Sequence, residues 1–140
     1  MTRMKELNIS AVRENLPQAT DFADEQLKNT GCPESVRAQI GLVIEEIFMN
    51  IAAYAYAPNS GYVRIGIEVN DGAAVIRFTD TGKPYDPLSR ADPDTGAPPK
   101  ERKKGGWGIF ISKKFTDNMK YEYSDGQNIL TVSKSWNAVR

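Results

Sequence analysis

One long apolar stripe in the first half of the chain constrains the fold more than any other feature. After Pro33, apolar residues recur with helical spacing at Val36, Ile40, Val43, Ile44, Ile47, Phe48 and Ile51. A stripe of this width buries one face of a helix against other elements. The segment therefore predicts a central helix that begins near Pro33 and ends before Pro58-Asn59-Ser60-Gly61.

Shorter patterns place a strand and a helix before this segment and a hairpin after it. Residues 4–12 alternate between apolar and polar side chains and predict a strand. A first helix is expected from an N-cap at Asn15 to a glycine stop at Thr30-Gly31, with Pro17 tolerated in its opening turn. Asn70-Asp71-Gly72 is typical of a hairpin turn. The strands of that hairpin are expected at 62–70 and 73–79.

A third helix and a second hairpin complete the predicted fold. The helix is expected at about 106–116, and Asp125-Gly126 separates two final strands at about 120–124 and 128–135. This order of elements predicts a single domain over residues 1–140. We expect an α/β (α+β) two-layer sandwich, with a mixed, mostly antiparallel sheet covered on one face by about three helices.

The central helix carries two polar residues at the margin of its apolar stripe. Glu46 and Asn50 are four residues apart, so a carboxylate and a carboxamide would enter the same space. The first can accept a proton, and the second can offer an oxygen to a hard cation. In the alternative interpretation Glu46 is a solvated surface residue and Asn50 caps a loop. Glu45, one position round the helix, is the expected surface residue.

A second polar group follows the strand at 73–79. Asp80 precedes Gly82 and Pro84, so its carboxylate is expected where the backbone turns sharply at the end of the sheet. There it could hold an amino group. The alternative is an ordinary turn aspartate beside an ordinary turn glycine.

A glycine cluster opens the third predicted helix. Backbone N–H groups of Gly105, Gly106 and Gly108 would form an anion site there, and the preceding cations, of which Lys104 is nearest, would attract phosphate. The cluster matches neither the Walker nor the dinucleotide pattern, so a flexible hinge is the alternative. The aperiodic segment 84–104 before it holds five of the eight prolines and is interpreted as a nucleotide lid.

Composition argues against several function classes. Lys and Arg total 18, as do Asp and Glu, whereas a nucleic-acid binder needs a basic surface. With no His and only Cys32, the chain lacks the usual soft-metal ligands and cannot form an internal disulfide. Any metal is then expected to be oxygen-bound. No apolar run approaches the ~20 residues that span a bilayer, and the polar start lacks the plan of a secretion signal. We therefore expect a cytoplasmic protein.

Taken in order, Glu-x-x-x-Asn, Asp-x-Gly-x-Pro and Gly-Gly-x-Gly resemble the nucleotide-binding motifs of the GHKL (HATPase) ATPase/kinase superfamily, which has the Bergerat fold. The chain length, the stretch DTGKPYDPL from Asp80 and the ending DGQNILTVSK from Asp125 are most similar to the anti-sigma-factor serine/threonine kinases. The resemblance implies ATP and Mg²⁺ as cofactors. It also implies two protein partners: an anti-anti-sigma (STAS-type) protein as substrate and a sigma factor as target.

The resemblance also implies a role for each candidate residue. Glu46 would be the catalytic base, Asn50 the magnesium ligand, and Asp80 with Gly82 the adenine site. Lys104, Gly105, Gly106 and Gly108 would hold the phosphates, and Thr131 on the last strand would contribute to the adenine floor.

Two departures from the family pattern leave an alternative open. Tyr54 stands where relatives often have a histidine, and Lys103-Lys104 does not reproduce a carboxylate–arginine pair found in some of them. The alternative is a non-catalytic ATP-binding partner-switch regulator. A first strand exposed around Leu7 could also pair with a second copy, so a homodimer is possible.

Overall fold

The computed structural model describes residues 4–89 and 107–136. Its single sheet has five strands: β1 (Lys5–Ser10), β2 (Tyr62–Asn70), β3 (Ala73–Asp80), β4 (Asn118–Ser124) and β5 (Gln127–Ser135). Their spatial order is β1-β2-β3-β5-β4. All the neighbouring pairs are antiparallel. The predicted sandwich is confirmed, and its sheet is wholly antiparallel within these ranges.

In the part of the chain that the structure describes, three α-helices form the second layer: α1 (Leu16–Leu27), α2 (Glu34–Asn50) and α3 (Trp107–Phe115). The apolar stripe predicted α2 to within one residue at its start. Immediately after Asn50 the helix widens into a π-helical turn, Ile51–Ala55. π-turns inside or at the end of α-helices are frequent at functional sites.

The core lies between the helices and one face of the sheet. Alternate strand residues are buried there, among them Val63, Ile65, Ile67, Ile76, Phe78, Leu130 and Val132. The buried helix residues include Ala19, Ala23, Leu27, Ile40, Ile44, Ile47 and Phe48, and together they form one apolar cluster. On the opposite face, Arg64, Arg77 and Lys120 are exposed. This division gives the sheet one core-facing side and one more exposed side.

Both hairpin turns have the backbone geometry that their sequences predict. Asp71 and Gly72 have φ angles of 48° and 76°, and Asp125 and Gly126 have φ angles of 51° and 77°. Two consecutive positive φ values define the type I′ turn, which matches the right-handed twist of the flanking strands. The two turns thereby set the register of β2 with β3 and of β4 with β5.

Several local expectations need correction. Asn15 does precede α1, but its side chain makes no cap hydrogen bond. Instead, its Nδ2 donates to the Ser10 carbonyl oxygen at 2.9 Å and ties the helix start to the end of β1. β1 is shorter than predicted at both ends, and β4 begins two residues earlier, at Asn118. β3 extends one residue further than expected, so Asp80 is its last residue.

The helical segment Glu34–Ala55 is long and apolar enough to cross a membrane by length and composition alone. This finding contradicts the expectation that no segment would reach that length. A core helix passes the same test, and α2 has buried residues at Ile40, Val43, Ile44, Ile47 and Phe48. Packing of α2 in the core accounts for its apolar character.

Candidate functional site

A cavity of about 510 Å³ opens where the end of α2 meets the end of β3. Its wall combines apolar side chains with a few polar ones, which is typical of a small-molecule site. The residues around it are Ile47, Asn50, Ile51, Tyr54, Ala55, Phe78, Asp80, Lys83, Pro84, Tyr85, Pro87, Ile109, Tyr121, Asn128 and Leu130. Two of the residues singled out in the sequence, Asn50 and Asp80, therefore face the same space.

Asp80 is held at the buried end of this cavity. Its side chain is on the core-facing side of β3, and the residue is only 6% exposed. Oδ1 accepts hydrogen bonds from the Gly82 backbone N–H at 2.8 Å and from Asn128 Nδ2 at 3.0 Å. The bond to residue i+2 is the local turn that an aspartate before a glycine predicts. Within the described residues, Oδ2 has no hydrogen-bond partner.

Gly82 lies directly against the backbone of the π-turn. A Cβ atom at this position would overlap the carbonyl group and the Cβ of Ala55. The neighbouring Lys83 N–H donates to the same Ala55 carbonyl oxygen at 2.9 Å. The glycine therefore allows the loop after β3 to approach the end of α2 closely, which forms one wall of the cavity.

A tyrosine on the far side of the π-turn ties this loop to the sheet. Tyr56 Oη accepts from the Thr81 backbone N–H at 2.9 Å and donates to the Tyr62 carbonyl oxygen at 2.5 Å. Gly61 leaves room for the Tyr56 ring, because a Cβ there would overlap it. Sequence reasoning did not identify Tyr56, whose contacts join three separate segments.

Asn128 is the second site residue that sequence reasoning missed. It is the register partner of Asp80 across β3 and β5, and it is 7% exposed. A signal was present in the sequence, because Asn128 shares the alternation of Leu130 and Val132, both of which are buried. A polar residue at a buried position of a strand needs hydrogen-bond partners, and here Asp80 is one of them.

The expectation for Thr131 is not supported by its position. Thr131 lies between Leu130 and Val132 on β5, so its side chain points to the other face of the sheet. Its register partners, Arg77 and Lys120, are exposed. Thr131 does not line the cavity.

Glu46 and Asn50 are one helical turn apart, as the sequence predicts, but their surroundings differ. Asn50 lines the cavity, whereas Glu46 does not. Glu46 instead lies against the start of α3, where a Cβ on Gly108 would overlap its carboxylate. Within the described residues, neither side chain has a hydrogen-bond or ion-pair partner. Glu45 is exposed, as expected for a surface residue.

The position of Glu46 changes its acidity. Burial raises the pKa of this carboxyl above its ordinary value, and the charge of neighbouring Glu45 raises it further. Both causes act against the ionised form. A carboxyl that has a raised pKa, and no partner among the residues that the structure describes, has the properties of a proton acceptor.

Several predicted residues lie outside the described part of the chain. Lys104, Gly105 and Gly106 fall in the segment 90–106, as does most of the lid expected at 84–104. The first residues of that lid are described. Tyr85 N–H donates to Asn128 Oδ1 at 3.1 Å, and Pro87–Ser89 forms a 3₁₀ turn.

The described residues could supply part of the coordination of a magnesium ion, with phosphate oxygens and waters supplying the rest. They contain no group of three or more His, Cys, Asp or Glu side chains that could hold a metal alone. Mg²⁺ in nucleotide sites is commonly bound by one or two protein oxygens together with phosphate oxygens and waters. The unpartnered amide of Asn50 can supply one such oxygen at the cavity wall.

Residues 9–134 match the family described as the histidine kinase-like ATPase domain. The chain belongs to this family, which confirms the resemblance to the GHKL superfamily that its three motifs indicate. Membership in a family of ATPase domains implies that the chain binds ATP.

Individual relatives agree with this assignment. Serine/threonine-protein kinase BtrW from Bordetella bronchiseptica is 23% identical over 99 residues, 70% of this chain and 70% of BtrW. The solved RsbU and RsbW domains of Rv1364c from Mycobacterium tuberculosis share 18% identity at a TM-score of 0.63, over 94% of this chain and 32% of that one. The histidine kinase AdeS from Acinetobacter baumannii gives a TM-score of 0.53 at 18% identity, over 96% of this chain and 69% of that one.

The coverage and identity of these matches decide which properties of the relatives apply to this chain. This chain spans about a third of the Mycobacterium tuberculosis chain. At 18% identity the two solved structures establish the fold. Activity and partners must be argued from the site itself.

Proposed function

We propose that this protein is an ATP-dependent serine/threonine kinase that acts as an anti-sigma factor. One observation carries the proposal: Asp80 and Asn50 face one cavity, with Glu46 one helical turn away, in a chain of the histidine kinase-like ATPase family. The similarity to the serine/threonine kinase BtrW supports the acceptor class.

In this proposal the whole chain, residues 1–140, is one ATP-binding domain. Oδ2 of Asp80, which has no partner in residues 4–89 and 107–136, accepts a hydrogen bond from the adenine amino group, and Gly82 lets the base approach the backbone. Asn50 contributes an oxygen to Mg²⁺, which neutralises phosphate charge. The start of α3 with Gly108, preceded by Lys104, Gly105 and Gly106, holds the phosphates, and residues 84–104 form the lid.

Glu46 acts as the base of the transfer step. As the acceptor Ser or Thr oxygen forms a bond to the γ-phosphorus, the bond from that phosphorus to the bridging oxygen of ADP breaks. Glu46 takes the hydroxyl proton, and its raised pKa makes it a better acceptor for that proton. Phosphoryl transfer otherwise requires alignment and charge neutralisation, which the residues around the phosphates supply.

The proposed partners are proteins of the cytoplasm. The acceptor hydroxyl belongs to a small anti-anti-sigma protein of the STAS type, and the sigma factor is the protein that the kinase sequesters. The balance of 18 basic and 18 acidic residues supports protein partners over direct binding of nucleic acid or membrane. A homodimer through β1, an edge strand of the sheet, belongs to the same proposal.

The direct test incubates the purified protein with γ-labelled ATP, Mg²⁺ and each small STAS-type protein encoded near its gene. We expect label on a serine or threonine of one acceptor, and none when EDTA is added. Nucleotide binding without transfer to any acceptor would support the second candidate below. Failure to bind ATP would contradict both.

The second candidate is a non-catalytic, ATP-dependent partner switch. The observation in its favour is that Glu46 lies against Gly108 and does not line the cavity, although Asn50 and Asp80 do. In that case the nucleotide state would control partner binding, and Glu46 would have no chemical role. Substitution of Glu46 separates the two candidates, as discussed below.

A further inference from the structure

The side chain of Asn128 makes more hydrogen bonds than any other in the cavity wall described here. Its Nδ2 donates to Asp80 Oδ1 at 3.0 Å, to the Lys83 carbonyl oxygen at 2.9 Å and, more weakly, to the Gly82 carbonyl oxygen at 3.3 Å. Its Oδ1 accepts from Tyr121 Oη at 2.5 Å and from the Tyr85 N–H at 3.1 Å. The hydrogen-bonding capacity of the amide is fully used.

These five bonds fix which way the amide points. If the amide were flipped, its NH₂ would face the Tyr85 N–H, which can only donate, and its oxygen would face three acceptors that cannot donate. A buried amide in that orientation would lose the free energy of all of its hydrogen bonds. The NH₂ group therefore faces Asp80, and it is held there from behind by Tyr121.

Tyr121 is suited to this role because its hydroxyl stays protonated. Burial raises the pKa of Tyr121 above its ordinary value, and the charges of Asp86 and Asp80 raise it further, although a hydrogen bond from the Tyr85 backbone acts in the opposite direction. The hydroxyl is therefore a constant donor to Asn128 at physiological pH. It keeps the amide oxygen turned away from Asp80.

The consequence for Asp80 is a fixed carboxylate with one free oxygen. Oδ1 is occupied by two donors, the Gly82 N–H and Asn128 Nδ2. Oδ2, without a partner among the described residues, is left as an acceptor at the cavity wall.

We propose that Asn128, held by Tyr121, is a positioning residue for base selection: it fixes Asp80 so that Oδ2 accepts a hydrogen bond from an exocyclic amino group. The inference rests on the proposed nucleotide site and names the residues that make its aspartate selective. Guanine has a carbonyl oxygen in place of the 6-amino group of adenine, and it would place a hydrogen-bond acceptor against the carboxylate. A purine with hydrogen in place of the 6-amino group would leave Oδ2 of the carboxylate without a donor.

The test compares two ligands that differ only in the amino group. Calorimetry in Mg²⁺ gives the Kd of ATP and of purine riboside triphosphate, which lacks the 6-amino group, for wild type, Asn128→Leu and Tyr121→Phe. In wild type the Kd of purine riboside triphosphate should be higher than the Kd of ATP. The ratio of the first Kd to the second should fall by about fivefold in Tyr121→Phe, as for one lost neutral hydrogen bond, and by about tenfold or more in Asn128→Leu. The matched control is Tyr123→Phe, which removes the same hydroxyl from an exposed ring on the same strand.

The ratio separates positioning from a purely structural role. General loosening of the cavity would weaken the binding of both ligands alike and leave the ratio of Kd values as in wild type. A folded variant with that wild-type ratio would overturn the inference. Tyr121→Phe keeps the ring and its packing, so it tests the inference even if Asn128→Leu fails to fold. A wild type that binds neither ligand would overturn the proposed function, and the inference with it. A wild type that binds both equally would overturn the inference alone.

Discussion

The two ends of the candidate site, one at Asp80 in the cavity and one at Glu46 beside it, are built in opposite ways. At the Asp80 end, which comprises Asp80, Gly82, Tyr121 and Asn128, side chains and loop backbone are joined by a dense hydrogen-bond network. The Glu46 end comprises Glu46, Asn50 and Gly108, and its two polar side chains have no partner within the described residues. Burial raises the pKa of Glu46, and the neighbouring charge of Glu45 raises it further.

Under the proposed function, this contrast corresponds to a recognition role at one end and a chemical role at the other. A recognition group is most selective when its own hydrogen bonds fix it before the ligand arrives. A group that must accept a proton or a metal during the reaction has to keep its capacity free, and an unpaired, partly buried carboxylate is the result. The predictions below test each end separately.

The largest effect is expected from Glu46→Gln. The amide keeps the shape of the side chain but cannot take the hydroxyl proton, so phosphoryl transfer should fall by about 10²–10⁴-fold while the Kd of ATP stays nearly constant. Single-turnover transfer from γ-labelled ATP measures the rate, and Glu45→Gln is the matched control on the exposed neighbour. A Glu46→Gln protein that transfers phosphate at the wild-type rate would favour the non-catalytic partner switch.

The next effect belongs to the Asp80 end. Asp80→Asn replaces a charged acceptor by an amide and should weaken ATP binding by about 1–3 kcal/mol, the cost of losing a hydrogen bond to a charged group. Asp125→Asn makes the same chemical change at an exposed hairpin turn, where asparagine tolerates the positive φ angle, and should bind ATP as wild type does. Equal ATP affinity of Asp80→Asn and Asp125→Asn, measured by calorimetry, would contradict the adenine assignment.

The sequence predicts the elements well because their signals are local. The apolar stripe of α2 and the two Asp-Gly turns each specify a period or a backbone conformation within a few residues. The spacing of Glu46 and Asn50 by one helical turn follows from helix geometry alone, whereas their different surroundings do not. The position of Asp80 follows from the strand and turn around it.

The missed contacts depend on pairing between distant segments. Asn128 meets Asp80 because β5 aligns with β3 in one particular register, and a one-residue shift would bring Ile129 there instead. The same one-residue distinction explains the error at Thr131, whose neighbours Leu130 and Val132 face the core. The approach of Gly82 to Ala55 similarly needs the π-turn after α2, which no short pattern announces.

Two glycines, one at each end, should respond differently to the same added methyl group. In Gly82→Ala the Cβ meets the Ala55 backbone carbonyl, which cannot move without shifting the π-turn. We expect a loss of about 1–3 kcal/mol in the free energy of unfolding, together with weaker ATP binding. In Gly108→Ala the Cβ meets the Glu46 carboxylate, which can rotate away, and comes within 3.3 Å of the Glu46 Cβ, which needs only a small shift. Alanine in turn favours the helix by up to ~1 kcal/mol. That variant should keep or gain stability but transfer phosphate more slowly.

Urea unfolding of both glycine variants, with transfer assays on the same samples, measures this difference. Equal destabilisation by the two substitutions would mean that the Glu46 end is as rigidly packed as the Asp80 end. The contrast between the two ends would then be wrong.

The smallest effect concerns stability and pH at the Glu46 end. The pKa of Glu46 is raised in the folded protein, so between its ordinary value of 4.5 and the folded value the native state binds more protons than the unfolded state. This contribution to the free energy of unfolding is fully present below about pH 4.5 and is lost as pH rises through the folded pKa. Glu46→Gln has no carboxyl to titrate at this position, so it does not lose this stability as pH rises. Its unfolding free energy should match wild type at low pH and exceed it at neutral pH, by less than about 1 kcal/mol because the carboxyl is only partly buried.

Glu45→Gln, which removes the second cause of the pKa shift, should give a smaller difference in the same direction. Urea titrations from pH 4 to 8 measure all three proteins. A Glu46→Gln variant less stable than wild type at neutral pH would show that the carboxylate is satisfied after all, and the two ends of the candidate site would then not differ in the way proposed.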